Sequence, residues 1–511
     1  MKYLFLLIGL CSLVSNAQKK TPAQKFAPLI NPEGLKQHMQ ILTSSEMEGR
    51  ATATKGQRKA AVYIQQQFSK LGLKPGTADD FQLPFIVYRD SVVKTGLRVN
   101  EIDYVRGVDY GVYTDYNHAC DLRFSELVFA GYGINDKKYD NYKDLNVSGK
   151  LIVVYGDEPM KDGKYIMTGT TNKGYWYYPP AKAKAARGLG AAAVLVIMKE
   201  FPVKMYDMEL SSLWRTPYQF FAGVNTFFIS EKVAKEIFKE KYKEIEDGIK
   251  KDTLPSFVLD DVKIKLNFSR KLLKLESSNV LGILEGTDKK DEYVLITAHY
   301  DHLGKINNNI YYGADDNGSG TSAVLKLAEA FAKAKEAGHK PRRSIVFMLV
   351  SGEENGLWGS DIYASNPIFP LDKTTVNLNM DMIGRTGGVY QKDKDSANYV
   401  FVIGDDKLSS DLRPISENNN KYTKLKLDYR YNDLNDTHYY YYRSDHYNFA
   451  TRGVPIIFYT DGEHADYHKT SDTMEKINYA LLARRAQLVF YTAWEMANMD
   501  RMLKRDIPLK Q

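Results

Sequence analysis

Cysteine is nearly absent from this 511-residue chain, with two in all. One of them, Cys11, lies in an apolar leader, so the mature chain would carry Cys120 alone and no intrachain disulfide. Cys120 sits in "NHACDLRF", which offers no nucleophile motif, and is expected to be a buried structural thiol. There is no CxxC pair, no GxSxG elbow and no Walker A loop, since Gly149-Lys150 is followed by Leu151. These absences remove thiol redox chemistry, the serine-hydrolase elbow and P-loop phosphate binding. Charge of one sign is also scarce: the net +7 is small for this length, no arginine-rich block occurs, and lysines alternate with acids. The charge reads as a solvated surface, with no nucleic-acid partner. Short-period repeats and low-complexity tracts are missing as well. No apolar run is long enough to span a bilayer. Leu4 to Val14 and Leu189 to Met198 both fall short, and the second reads as core.

What is present begins with "MKYLFLLIGLCSLVSNAQ". Lys2, the short apolar run and the small residues before Gln18 have the form of a signal peptide covering 1–17. The expectation is an exported, periplasmic or secreted protein that keeps no membrane span after cleavage. A lipid anchor at Cys11 is disfavoured by Leu10, where a small residue is expected.

The length suits two or three domains. In "GQRKAAVYIQQQFSKLGLKPG", Ala60, Tyr63, Ile64, Phe68 and Leu71 recur at helical spacing, and Gly72 and Pro75 close the helix. From about 80 to 270 the pattern turns to strands and Tyr-rich loops, with "KLIVVYG" and "NTFFIS" as buried strands and 181–198 as helix, turn, strand. From about 273 strands and helices alternate: "DEYVLITAHYD", then a helix with Val324, Leu327, Ala328 and Phe331 on one face, then "RRSIVFMLVSG", "VNLNMDMIG", "GVPIIFYTDG" and a closing helix. The fold class is α/β, a mostly parallel sheet sandwiched by helices. Ligands in such sheets bind beyond the carboxyl ends of the strands.

Chemistry-bearing residues follow strand after strand. His299 and Asp301 in "AHYDHLG" lie two apart and share one side of an extended backbone, so Asp301 is placed to hold the second ring nitrogen of His299. Asp315 and Asp316 in "GADDNGSG" precede a helix. Taken alone they read as N-terminal caps, and they miss the EF-hand spacing. Glu353 and Glu354 follow a buried strand, where one carboxylate could bind metal while the other holds the attacking water. Asp381 is flanked by Leu378, Met380, Met382 and Ile383, where a carboxylate is costly unless paired or metal-bound. His468 in "DYHKTSDT" completes an N/O donor set that suits zinc.

In this order the motifs "AHYDHLG", "GADDNGSG", "SGEENG", "NMDMIG" and "YHKTSDT" resemble the co-catalytic zinc aminopeptidases. That family also includes prostate-membrane-antigen-type carboxypeptidases, glutaminyl cyclases and the transferrin receptor. The resemblance covers nearly the whole mature chain, including Glu48-Gly49-Arg50. It implies two Zn²⁺ ions, other divalent metals being compatible with the donors. His299 and Asp381 would hold one ion, Glu354 and His468 the other, and Asp316 would bridge them. Glu353 would be the general base and Tyr467 would help stabilise the tetrahedral intermediate. Asp301 would support His299, and Asp445 in "RSDHYNF" would be a supporting or substrate-side acid or a structural one. The stretch "LVFAGYGINDKKYDNYKDLNVSGKLIVVYGDEP" followed by "KAKAARGLGAAAVLVI" resembles an inserted protease-associated domain. The implied organisation is a signal peptide at 1–17, the first part of the catalytic domain at 18–95, the insertion at 96–270 and the rest of the catalytic domain at 271–511. Peptides are the implied substrates, cut from the N-terminus. Carboxypeptidase, dipeptidase or cyclase chemistry, or a receptor-like binding role, are the alternatives on the same site. The run Tyr439–Tyr442 is expected to pack between domains or line the cleft.

Overall fold

The strand Arg343–Val350 is apolar at nearly every position and buried at all of them. Ile345, Phe347 and Leu349 join one hydrophobic core, while Val346, Met348 and Val350 join another. Period-two alternation therefore places a sheet with both faces covered, as the unbroken apolar run requires.

The computed structural model describes residues 20–202, 209–217, 223–392, 398–433 and 435–509. The leader and Cys11 lie outside the described residues. The chain divides into two units, one of residues 1–85 with 276–511 and one of residues 86–275.

In the first unit the strand order is Lys426–Asp428, Tyr399–Ile403, Ile456–Thr460, Thr374–Met380, Lys289–His299, Arg343–Val350 and the last part of Ser256–Leu284. The central pairs are parallel. Tyr399–Ile403 against Ile456–Thr460, and Ser256–Leu284 against Arg343–Val350, are antiparallel. The sheet is thus mixed around a parallel centre. Helices Pro32–Leu42, Lys55–Lys70, Gly320–Glu336 and Tyr479–Asn498 contribute to the larger core, and Asn31, Thr54 and Asn478 cap three of them by accepting from backbone N–H groups. Gly320–Glu336 buries more than the expected face, because it lies against both the sheet and other helices: Ala323, Leu325, Ala330 and Ala332 are buried as well.

The second unit has its own two cores. Its strands Cys120–Ala130, Leu151–Tyr155, Ala193–Ile197 and Asn225–Ile229 pair in parallel, and Tyr110–Val112 closes the edge antiparallel. The first part of Ser256–Leu284 pairs antiparallel with Cys120–Ala130. This compact unit spans residues 86–275, and the stretch read from the sequence as an insertion, 96–270, lies within it. Strand Gln82–Val99 crosses the boundary without a turn signal, which hides it. Cys120 is half-buried rather than buried, and burial raises its thiol pKa, so it is not an activated nucleophile. Among the described residues no helix is long and apolar enough to cross a membrane.

Candidate metal centre

Strand ends and one turn supply the donors. His299 is the last residue of its strand, Asp381 follows Met380 directly, and Glu353 and Glu354 come just after Val350. Tyr467 and His468 lie on the loop beyond Ile456–Thr460, and Asp316 lies in the turn that opens helix Gly320–Glu336. This is the carboxyl edge of the sheet, as expected.

Asp316 is buried and faces two histidines. Its Oδ1 is 3.3 Å from His299 Nε2 and its Oδ2 is 3.1 Å from His468 Nε2. Two constellations diverge from it. On one side Asp381 Oδ1 lies 3.2 Å, and Glu353 Oε2 3.9 Å, from His299 Nε2. On the other, Glu354 Oε2 lies 3.1 Å from His468 Nε2. Donor atoms of His299, Glu353 and Asp381 lie within 4.8 Å of one another, as do those of His302, Asp316 and Glu354. Each group mixes imidazole with carboxylate, the donor chemistry that holds zinc.

The surrounding hydrogen bonds aim these donors. His299 Nδ1 donates to the carbonyl of Asp301 at 3.1 Å, which leaves Nε2 free to ligate. The expected partner was the Asp301 carboxylate. It is 3.8 Å away, because it accepts instead from Thr52 Oγ1 at 2.7 Å and from Glu353 N at 3.3 Å. Ser444 donates to Asp381 Oδ2 at 2.7 Å. Asp445 is fully buried, and burial, offset by His299, pushes its carboxyl up to about 7. Tyr467 stacks on His468 with ring centroids 3.9 Å apart, and burial raises its phenol so that it keeps its proton.

Imidazoles and carboxylates shift one another's titration across the cluster. Burial disfavours the His468 cation, yet hydrogen bonds to Asp316 and Glu354 outweigh it and push His468 up to about 10. Asp316 is held well below the usual carboxylate range by His299 and His468 against burial. Glu353 is pushed well above its range by burial, with His299 opposing and Asp381 and Glu354 adding to the rise.

Several residues at the site carried no sequence signal strong enough to assign. His302 Nδ1 lies 2.6 Å from Glu354 Oε1, and so orients that carboxylate. Alternation along a strand would have turned His302 away, but the strand ends at His299. Arg50, fully buried, donates to the carbonyls of Leu42, Tyr300, Tyr312 and Gly313, and so ties the His299 segment to the aspartate turn. Asp472 Oδ2 accepts from the backbone N–H groups of Asp315 at 3.0 Å and Asp316 at 3.2 Å. Asp315, which had no assignable role, accepts from Gly384 N at 2.7 Å and lies 3.3 Å from His464 Nε2. It links the Asp316 turn to the loop carrying Asp381. Of the tyrosine run, Tyr440 and Tyr441 are buried in the second core of this unit, Tyr440 also lines the cleft, and Tyr439 is exposed.

The family model for peptidase family M28 matches residues 279–493, a stretch that holds every donor above. Over this segment the chain is similar to the M28 peptidases. Among curated relatives, the M28 segment brings 30% identity with a probable leucine aminopeptidase of Trichophyton verrucosum, over 43% of this chain and 57% of that protein. A probable zinc metalloprotease of Pyrenophora tritici-repentis is 27% identical over 44% and 52%. A vacuolar membrane protease of Aspergillus clavatus is 34% identical over 24% of this chain and 14% of its own length. The chain thus spans from about a seventh to just over half of these relatives. Among solved structures, an aminopeptidase from Aneurinibacillus aligns with a TM-score of 0.52 at 18% identity, over 96% of this chain and 98% of its own. A zinc aminopeptidase from Bacillus subtilis aligns with a TM-score of 0.52 at 19% identity, over 94% and 99%. At these identities the likeness is one of fold.

Proposed function

We propose that this protein is an exported aminopeptidase with two zinc ions, which removes N-terminal residues from peptides. The observation that carries the reading is Asp316, whose two oxygens face separate histidines, each backed by a further carboxylate. His299 and Asp381 would hold one ion, His468 and Glu354 the other, with Asp316 between them. Ions bound there would lower the pKa of a water and polarise the scissile carbonyl.

The chain's own groups do the rest. Glu353, whose Oε2 lies 3.9 Å from His299 Nε2 beside the proposed ions, takes a proton from the attacking water and returns it to the leaving amine. Tyr467, kept protonated, donates its O–H to the oxygen that becomes negative. His302 and the Asp301 carbonyl hold Glu354 and His299 in place. The inserted unit is assigned, within the same proposal, as a protease-associated domain.

A two-faced carboxylate favours two ions over the single ion a cyclase needs, and the full donor set speaks against a purely receptor-like role. A carboxypeptidase needs a free cation for the C-terminal carboxylate. Arg443, which lines the cleft, is already paired with Glu463 at 2.6 Å. The test is hydrolysis of amino-acyl anilides by the zinc-loaded chain. Chelator-sensitive release with two metals per chain is expected, whereas release of ammonia from N-terminal glutamine would mark a cyclase.

A further inference from the structure

The cleft beside the metal centre has a cavity volume of about 40 Å³ and opens to solvent. Met382, Phe458 and Tyr440 give it apolar and aromatic walls, and Thr460 adds one hydroxyl, which lies 3.3 Å from the Met382 carbonyl. Besides Asp316, Glu353 and Asp381 of the metal centre, two charged side chains line it, Arg443 and Glu463, and both are a little over one-third exposed. They are bound to each other at 2.6 Å.

Both ends of this pair are anchored. The Glu463 N–H donates to the Tyr440 hydroxyl at 2.9 Å, and its carbonyl accepts from Gly388 N at 2.8 Å. Arg443 donates through Nη1 to the His438 carbonyl and through Nη2 to the Tyr467 hydroxyl, both at 3.3 Å. The pair is therefore part of the wall.

Resting on the aminopeptidase reading, we propose that the Arg443–Glu463 ion pair sets the specificity of the cleft, restricting the released residue to neutral, mainly apolar side chains. An acidic side chain entering here meets a guanidinium already satisfied by Glu463, and is repelled by that same Glu463. A basic side chain meets the reverse. Either must break the pair to find a partner, so the two charges select against both signs at once. Removing one member releases the other as a ready counter-charge.

The experiment compares zinc-loaded wild type, Glu463→Ala and Arg443→Met on leucyl, glutamyl and lysyl anilides, reading ratios of kcat/KM within each protein. Ratios cancel the general loss expected when Arg443, which touches Tyr467, is changed. Wild type should prefer the leucyl substrate over both charged ones. Glu463→Ala should raise the glutamyl-to-leucyl ratio by about 10-fold, and Arg443→Met should raise the lysyl-to-leucyl ratio similarly. Unchanged ratios in both variants, or a wild type that cleaves the glutamyl substrate as well as the leucyl one, would overturn the inference alone. A zinc-loaded wild type that cleaves no amino-acyl anilide but trims peptides from the C-terminus would overturn the aminopeptidase reading and this inference together.

Discussion

Two adjacent aspartates share the turn at 315–316, yet their surroundings differ. Asp316 faces His299 and His468, whereas Asp315 faces Gly384 N and His464. Asp316→Asn should therefore remove a donor from both of the proposed ion sites, while Asp315→Asn should leave the donors present but loosely aimed. The expected loss of zinc affinity for Asp315→Asn is about 10–100-fold, the usual effect of disturbing a residue that orients ligands. Competition with a chromophoric chelator measures it, and Asp315→Asn with wild-type affinity would show that the Asp315 charge facing His464 is idle. Glu353 predicts a different pattern. Glu353→Gln should keep both ions and lose about 10²–10⁴-fold in kcat, read from metal content and turnover on the same sample. His299, Asp381 and the Glu353–Glu354 pair were legible as costly groups at strand ends, whereas Asp316, Tyr467 and His468 took their roles from the order of the motifs. The roles of His302, Arg50 and Asp472 were not legible, since their work depends on where loops distant in sequence meet.

At the scale of elements, helix Pro32–Leu42 carries a titration device. His38 packs under cover with Nδ1 2.7 Å from the Tyr63 hydroxyl. Burial first, and Lys326 second, lower its pKa to about 4 from 6.5. Between those values the unfolded chain binds the extra proton, so stability is full above pH 6.5 and falls as the pH drops towards 4. The His38 contribution should cost about 2 kcal/mol on going from pH 7 to pH 5. His446, lowered to about 3 by burial, adds in the same direction. Denaturant unfolding at the two pH values should show a smaller difference in His38→Phe than in wild type, and an equal difference would contradict the assignment. Strands were the most legible elements. Their apolar runs are short and bounded, as in Arg343–Val350, and one face cannot be buried without the other showing it. The helix Gly320–Glu336 was read too narrowly, because its small residues Ala323, Ala330 and Ala332 are buried by neighbours that periodicity does not reveal.

The whole molecule consists of two units with separate cores, and the candidate metal centre lies wholly within the unit formed by residues 1–85 and 276–511. Zinc should therefore stabilise one of them selectively. At a free concentration 100 times its Kd, one bound ion adds about 2.7 kcal/mol to the unit that holds it. Calorimetry with zinc and with excess chelator should show one transition that moves and one that stays. Two transitions moving by the same amount would contradict a site confined to one unit. The change of pattern near residue 80 falls close to the division between the units, but the division itself was not legible, since strands Gln82–Val99 and Ser256–Leu284 run across it.

The central claim is that these donors hold zinc in order to cut peptides from the N-terminus. Mass spectrometry of a free peptide and its N-acetylated twin, incubated with the full chain before chelation, after chelation and after zinc is restored, tests it most directly. The account predicts stepwise loss of N-terminal residues from the free peptide, abolished by the chelator and recovered with zinc, while the acetylated twin stays whole. Loss of residues from the C-terminus, equal cleavage of the acetylated twin, or cleavage indifferent to the chelator would contradict it.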